Sequence, residues 1–385
     1  MSLRILFAIH TEPDPFTAVF MNASRRAAHL REAGHAVDVI TPDARPWSWP
    51  RLRPLLLPVA TLFSGLRRYD VLVFHSYVGW AFHACRWWLP RARRVTSITA
   101  FHGLEPLYHG AVSAELARTG ERLSFRFRLL HQHLVPALLR LSCRRSDAEF
   151  CLNRREAKYL ARERWCDPAR IVIVANGVDP ELLARRQHRG RARRLLFVGQ
   201  WLRAKGTRYL TAAFARIAAL HPDVTLVCAG TGAHAEAVRS DFTPEVRGRV
   251  TVLPRVTRVE LREQLRAAEI FLFPSLSEGF SGALLEALAS SLAVITTRAG
   301  AAGDLLHHEL SALLVPMADA GALAAAAVRL IEDDALRQAL ADGGHRVALR
   351  YEWTAVNDAY AAEVERAAAL RHAAALSPGA DAVVP

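Results

Sequence analysis

Lysine is nearly missing from this 385-residue chain: of 50 basic residues, only Lys158 and Lys205 are lysines. Arginine-heavy usage follows codon bias, so a lysine that remains hints at a position preferring a compact point charge. Cysteine is sparse. Cys85, Cys143, Cys151, Cys166 and Cys228 lie scattered without metal-type spacing, which points to structural thiols in a reduced compartment and to no resident metal. No apolar run reaches the roughly 20 residues that span a bilayer. The longest, Leu55 to Leu66, is short and carries Pro58 and Gly65. The chain opens directly on the strand-like Leu3–Ile9, so no signal peptide is expected. No solenoid repeat and none of the usual nucleic-acid recognition motifs is visible, so no nucleic acid is expected as a partner.

What is present is the composition of a globular protein, 51% hydrophobic and 23% charged, long enough for two domains or one large one. Charge is lopsided. Residues 1–194 hold 32 Lys+Arg and 16 Asp+Glu, a net of +16, whereas residues 195–385 hold 18 and 21, a net of −3. An anionic partner for the first half is one reading, and a solvated arginine-rich face is the other.

Buried-strand runs alternate with helical stretches. Leu3–Ile9, Ala36–Thr41, Asp70–His75, Arg94–Ala100 and Ile171–Ala175 read as strands of a first sheet, with a helix over Val19–Ala33 ended by Gly34. Leu195–Gly199, Thr225–Ala229, Arg249–Leu253, Glu269–Pro274 and Ala293–Thr297 repeat the grammar, and 320–345 and 353–371 read as helical. Such alternation predicts an α/β fold of two Rossmann-like, doubly wound domains facing across a cleft. The expected boundaries are an N-terminal domain over 1–180 and a basic linker over 181–194. A C-terminal domain follows over 195–350, then a helix over 351–372 returning to the first domain and a disordered tail over 373–385.

The most informative segment runs from Phe271 to Glu286. A strand ends at Pro274, a small-residue turn covers Ser277–Gly282, and a helix begins near Ala283. A helix N-terminus after a glycine-containing turn offers free N–H groups to an anion. Glu278 and Glu286 flank it. Carboxylates repel phosphate but accept hydrogen bonds from hydroxyls, so a ligand with a diphosphate between two polyhydroxy ends suits the layout. A solvated loop glutamate beside a surface helix glutamate is the alternative from residue types alone. Lys205 follows Gly199 at loop distance and can pair with a diphosphate.

The stretch Pro274-Ser-x-x-Glu278-Gly-Phe280-x5-Glu286-Ala287 resembles the Glu-x7-Glu signature of the family 4 retaining glycosyltransferases, which have the GT-B fold. Further resemblances follow in order: Phe101-His102-Gly103-Leu104-Glu105, Ala175-Asn176-Gly177-Val178-Asp179, Phe197-Val198-Gly199-Gln200 with Lys205-Gly206, and Tyr351-Glu-Trp353 running on to Tyr360. Together they span about residues 3 to 365. The resemblance implies a metal-independent hexosyltransferase with a nucleotide-diphosphate sugar as donor substrate, no further cofactor, and reaction by front-face substitution. It implies that His102 and Glu278 act at the reacting sugar. Gly199, Gln200, Arg203, Lys205, Gly230, Val256, Gly279, Phe280, Ser281, Gly282 and Glu286 would bind the donor, Glu286 through its ribose. Two departures stand out. Gln200 occupies the place of the family's arginine, with Arg203 close enough to supply charge. The first loop, His10-Thr-Glu-Pro-Asp-Pro-Phe-Thr17, replaces paired glycines and suggests a differently shaped acceptor site.

The expected acceptor is a glycan or a lipid-linked envelope acceptor. Arg51–Arg68, Arg86-Trp87-Trp88 and Arg122–Arg145 mix arginine with leucine and aromatics. They read either as a basic face resting on an anionic membrane or as core with a solvated rim. The expected location is cytoplasmic or peripheral on the inner membrane face. A same-fold epimerase, a sugar phosphorylase and a non-catalytic sugar-nucleotide-binding protein are the alternatives.

Overall fold

A computed structural model describes residues 2–11, 13, 14, 17–42, 57, 61, 68–86, 88, 92–121, 123–185 and 192–376. Of the segments singled out above, most of 51–68, Trp87, Arg122, part of the first loop, 186–191 of the linker and 377–385 of the tail lie outside the described residues. The chain forms two compact units. The first comprises Met1–Pro106, Leu123–Ala175 and Thr354–Pro385, the second Leu107–Arg122 and Asn176–Trp353.

The first unit is built on a six-stranded parallel sheet, β1 (Arg4–Ala8), β2 (Ala36–Ile40), β3 (Val71–His75), β4 (Thr96–Ala100), β5 (Ala148–Cys151) and β6 (Ile171–Ile173). Their order is β2-β1-β3-β4-β5-β6. β3, β4 and β5 are buried along their whole length, as expected of parallel strands covered on both faces. The helix Ala18–Glu32 buries Ala23, Arg26, Ala27 and Leu30, one face at helical spacing, and gives way at Gly34, whose φ of +90° no side-chain-bearing residue adopts readily. Arg26 donates from Nη2 to Ala175 O at 2.9 Å, and its guanidinium lies 4.4 Å from the ring centre of Tyr360. That contact ties the C-terminal helix, Trp353–Leu376, to this unit from Thr354 onward. His29–Asp358 and His35–Glu365 pairs at 2.8 and 3.1 Å add to it.

The second unit carries β7 (Arg194–Val198), β8 (Thr225–Ala229), β9 (Val250–Leu253), β10 (Ile270–Phe273), β11 (Ala293–Thr296) and β12 (Leu313–Leu314), again all parallel. Read from one edge, the order is β9-β8-β7-β10-β11-β12. The chain winds outward from β7 on one side, then returns to start again at β10. The crevice above the carboxyl ends of β7 and β10 is therefore the switch point where ligands settle in such sheets.

Two strands escape the sequence reading. β5 holds Glu149, a charged residue that breaks its apolar run, yet the strand is fully buried. β12 is two residues long and, among the described residues, pairs only with β11. The segment 107–121 also belongs to the second unit although it lies within the stretch read as N-terminal. Among the described residues, no helix is long and apolar enough to cross a membrane.

Candidate functional site

The loop leaving β7 is shaped by backbone geometry. Gly199, at φ +152°, still donates to Ala229 O at 3.0 Å, and Gln200 is exposed beyond it. A single 3-10 turn, Arg203–Lys205, ends at Gly206 with φ +70°. A Cβ on Gly206 would stand 2.0 Å from Pro274 O, so only glycine lets this loop approach the exit of β10 so closely. Leu276 N donates to Ala204 O at 2.7 Å and locks the two loops together.

Lys205 and Glu278 meet across this junction. Lys205 Nζ donates to Glu278 Oε1 at 2.7 Å, and Ser275 Oγ donates to the same oxygen at 2.6 Å. Both charged side chains are largely withdrawn from solvent, 23% and 10% exposed, and the ammonium lies 5.5 Å from the Phe273 ring centre. Partial burial strengthens such a pair and makes either charge costly to leave alone. Gly300 supports the Glu278 loop from below, where a Cβ would come within 2.4 Å of Glu278 O and Gly279 O. Ala301 N donates to Gly279 O at 2.9 Å.

The helix Gly282–Ala289 follows. Ser281 caps it, its hydroxyl accepting from Leu284 N at 3.2 Å, which leaves the first-turn N–H groups at the crevice. Phe280 is buried against Tyr351, with ring centres 5.7 Å apart, and its carbonyl accepts from Asn176 Nδ2 at 3.2 Å. Glu286 stands further along this helix with Oε1 3.4 Å from Arg258 Nη1, which also donates to Asp179 Oδ2 at 2.9 Å. Gly230 and Val256, beyond β8 and β9, are neighbours: a Cβ on Gly230 would lie 3.9 Å from Val256 Cγ2.

Arg203 does not face this cluster through a vacant guanidinium. It forms a fork with Glu121, at 2.6 and 3.1 Å. Tyr108, from the same 107–121 strip, has its phenol pushed up by burial, with Lys205 and Glu278 close enough to pull in opposite directions. Sequence reading gave no site role to Tyr108, Ser275, Arg258 or Asp179, although Ser275 and Asp179 lie within the motifs quoted. Tyr108, Arg258 and Asp179 reach the site through contacts distant in the chain, whereas Ser275 lies three residues before the Glu278 it bonds.

His102 belongs to the first unit, beyond β4, followed by Gly103 at φ +130°. Its Nε2 lies 2.5 Å from Nδ1 of His75, the last residue of β3. The next residue, Ser76, takes a left-handed φ of +61° and donates its hydroxyl to Glu105. Burial depresses the histidines: His75 to about 3, His10 to about 4, and His102 well below the ordinary imidazole value, with Arg26 adding to the effect at His75 and His102. Burial raises Glu105. The cluster is thus neutral at the histidines near pH 7. Among the described residues, no group of three or more His, Cys, Asp or Glu is placed to hold a metal ion.

Residues 23–182 match the profile of Glycosyltransferase Family 4, and residues 192–333 that of Glycosyl transferases group 1. A phosphatidyl-myo-inositol mannosyltransferase of Mycolicibacterium smegmatis is 30% identical over 188 residues, 48% of this chain and 48% of its own. The chain thus spans about half the length of the curated relatives it matches at this level. A D-inositol 3-phosphate glycosyltransferase of Mycobacterium ulcerans is 26% identical over 94% of this chain and 86% of its own. Among solved structures, a sucrose-phosphate synthase from Thermosynechococcus elongatus superposes with a TM-score of 0.76 at 20% identity, covering 96% of this chain and all of that one. That likeness shows the fold, two parallel-sheet α/β units of the GT-B kind. With both profiles met in order along the two units, the chain belongs to the family 4, group 1 glycosyltransferases.

Proposed function

We propose that the protein is a retaining glycosyltransferase that takes a hexose from a nucleotide-diphosphate sugar. The donor lies over the carboxyl ends of β7 and β10, and the observation that carries this reading is the Lys205–Glu278 pair across that switch point. The ammonium is already beside the place where a diphosphate reaches the helix N-terminus at Ser281 and Gly282. Gly199, Gln200, Arg203 and Lys205 would flank the phosphates, with Arg203 exchanging Glu121 for the ligand. Gly230 and Val256 would meet the base through main-chain groups. Glu286, steadied by Arg258, accepts from the ribose hydroxyls, and Glu278 accepts from the sugar as Lys205 turns to phosphate.

In the proposed reaction the acceptor oxygen forms its bond to the anomeric carbon on the face the diphosphate leaves. The carbon–oxygen bond to phosphate breaks, and the acceptor proton passes to the departing phosphate oxygen. Main-chain N–H groups of Gly279–Gly282 and Lys205 stabilise the leaving charge, so the protein contributes position and electrostatics rather than a covalent intermediate. No step is routed through a metal or a further cofactor. His102, a neutral hydrogen-bond group, serves the reacting sugar.

Thermal-shift titration with uridine, guanosine and adenosine diphosphate sugars tests the donor site, since a ligand of the folded state raises Tm. Glu286→Ala abolishes the shift, whereas Glu278→Ala retains it and loses discrimination among sugars. Undiminished shifts in both variants refute the assignments. Anomeric configuration of the product, read by NMR, tests retention. An epimerised donor without acceptor, or a requirement for phosphate, would identify the same-fold alternatives instead.

The proposed acceptor is a glycan or a lipid-linked envelope acceptor, met from a cytoplasmic position on the inner membrane face. Its support is the helical segment that begins at Phe125. Phe125, Leu129, Leu130 and Leu134 are 71%, 54%, 41% and 45% exposed, alternating with Arg126 and Arg128 and followed by Arg140 and Arg144. Apolar side chains left in water beside arginines suit an anionic lipid surface. Sedimentation with anionic vesicles at low salt should retain the protein, and Leu129→Asp with Phe125→Glu should release it. Indifference to the vesicles refutes the membrane reading.

A further inference from the structure

The first unit has a switch point of its own. β1 is flanked by β2 on one side and β3 on the other, and His10 and His75 stand at the exits of β1 and β3. His102 stands beyond β4, the next strand along. Three histidines from three adjacent strands thus converge, of which only His102 lies in a motif legible in the sequence and only His102 is absorbed by the proposed function.

The His75 and His102 planes are within 14° of parallel, with ring centres 4.7 Å apart. Rings lying face to face keep atoms about 3.5 Å apart. The 2.5 Å approach of His75 Nδ1 to His102 Nε2 therefore places the rings edge to edge, joined by one in-plane hydrogen bond. Which nitrogen donates follows from the far side of His75. Its Nε2 is buried, and among the described residues no group is placed to hydrogen-bond it. A neutral imidazole carries one N–H. On Nε2 that proton would be a buried donor without an acceptor, and His75 Nδ1 would need a proton from His102 instead. On Nδ1 the proton is satisfied by His102. The ring has little freedom to choose otherwise: it is fully buried, 5.6 Å from the Phe7 ring centre.

We infer that His75 is a positioning residue that donates from Nδ1 to His102 Nε2, fixes the His102 tautomer, and so makes His102 Nδ1–H the donor offered to substrate. A bond to one ring nitrogen sets the protonation of the other. Burial keeps both rings neutral, so the arrangement supplies a donor without a full charge. The catalytic consequence rests on the proposed transferase reading. The tautomer does not.

Selective imidazole 15N labelling, with His102→Asn used for assignment, reads the tautomer directly on the full chain without substrate. The wild type should show His102 protonated at Nδ1 and bare at Nε2. In His75→Phe that preference should vanish, and His75→Asn, whose amide can still donate, should restore it. With donor and acceptor present, kcat in His75→Phe should fall roughly tenfold or more while the donor KM moves less than about twofold, with partial rescue in His75→Asn. Wild-type His102 carrying its proton on Nε2 overturns the inference, as does an unchanged tautomer in His75→Phe. Should His75→Phe fail to fold, the wild-type spectrum alone decides. A chain that shows the stated tautomer but transfers no sugar would refute the function and leave this inference standing.

Discussion

His83 is packed edge-on between Phe74 and Phe82, with ring centres 5.8 and 5.2 Å away, and both its nitrogens are buried without a hydrogen-bond partner among the described residues. Burial lowers it to about 3, as it lowers His75 to about 3 and His10 to about 4. The unfolded chain takes up these protons below about pH 6.5, and the folded chain resists them until about 3 to 4. Their contribution to stability is whole above 6.5 and is lost as pH falls toward 3. Buried Glu105, Glu149 and Glu156 act in the opposite sense. Burial raises them, Glu156 to about 7, so their contribution is whole below the ordinary carboxylate range and is lost as pH rises toward 7. Between 4.5 and 6.5 the two sets offset each other, and below 4.5 the histidines act alone. Melting temperature should change little across the upper window and drop steeply in the lower one. His83→Leu removes one of the acid-sensitive groups and should shift the acid limb down by roughly half a pH unit, without loss at pH 7. Circular-dichroism melts from pH 3 to 7 check both statements.

At the scale of elements, the C-terminal helix is held by the His29–Asp358 and His35–Glu365 pairs and, at Tyr360, by the fit of the ring. Tyr360 lies beneath Arg26 and edge-on to Phe150 at 5.3 Å, yet among the described residues its hydroxyl has no hydrogen-bond partner. Tyr360→Phe should therefore be neutral or stabilise by up to about 1 kcal/mol, whereas Tyr360→Ala should cost about 3–5 kcal/mol. Urea unfolding separates the two. Strands were legible wherever an apolar run stood unbroken between turn residues, as at Val71–His75 or Ile270–Phe273. Glu149 hid β5, because a carboxyl whose pKa burial raises still reads in sequence as a surface charge. The donor loop was legible for another reason: Gly206, Glu278 and Ser281 are demanded by local backbone approach, charge and capping. His75 was illegible because its role lies in a ring from another strand.

Across the whole molecule, the chain passes between its two units after residues 106, 122, 175 and 353. A cut in the 181–194 linker would thus separate neither unit intact: the second would lack 107–121, with its Glu115–Tyr209 and Glu121–Arg203 bonds, and the first would lack Tyr360. Sequence reading had no means to see the 107–121 strip cross over, since the bonds that join it to the second unit, Glu115–Tyr209 and Glu121–Arg203, are distant in the chain. One compositional oddity becomes useful at this scale. Lys158 is exposed on the helix Arg154–Arg162, while Lys205 is held by Glu278. An amine-reactive label followed by peptide mass spectrometry therefore has two internal targets, one a built-in reference and the other a reporter. Nucleoside diphosphate should shield Lys205 and leave Lys158 unchanged, so occupancy could be counted in the native chain without engineering a probe.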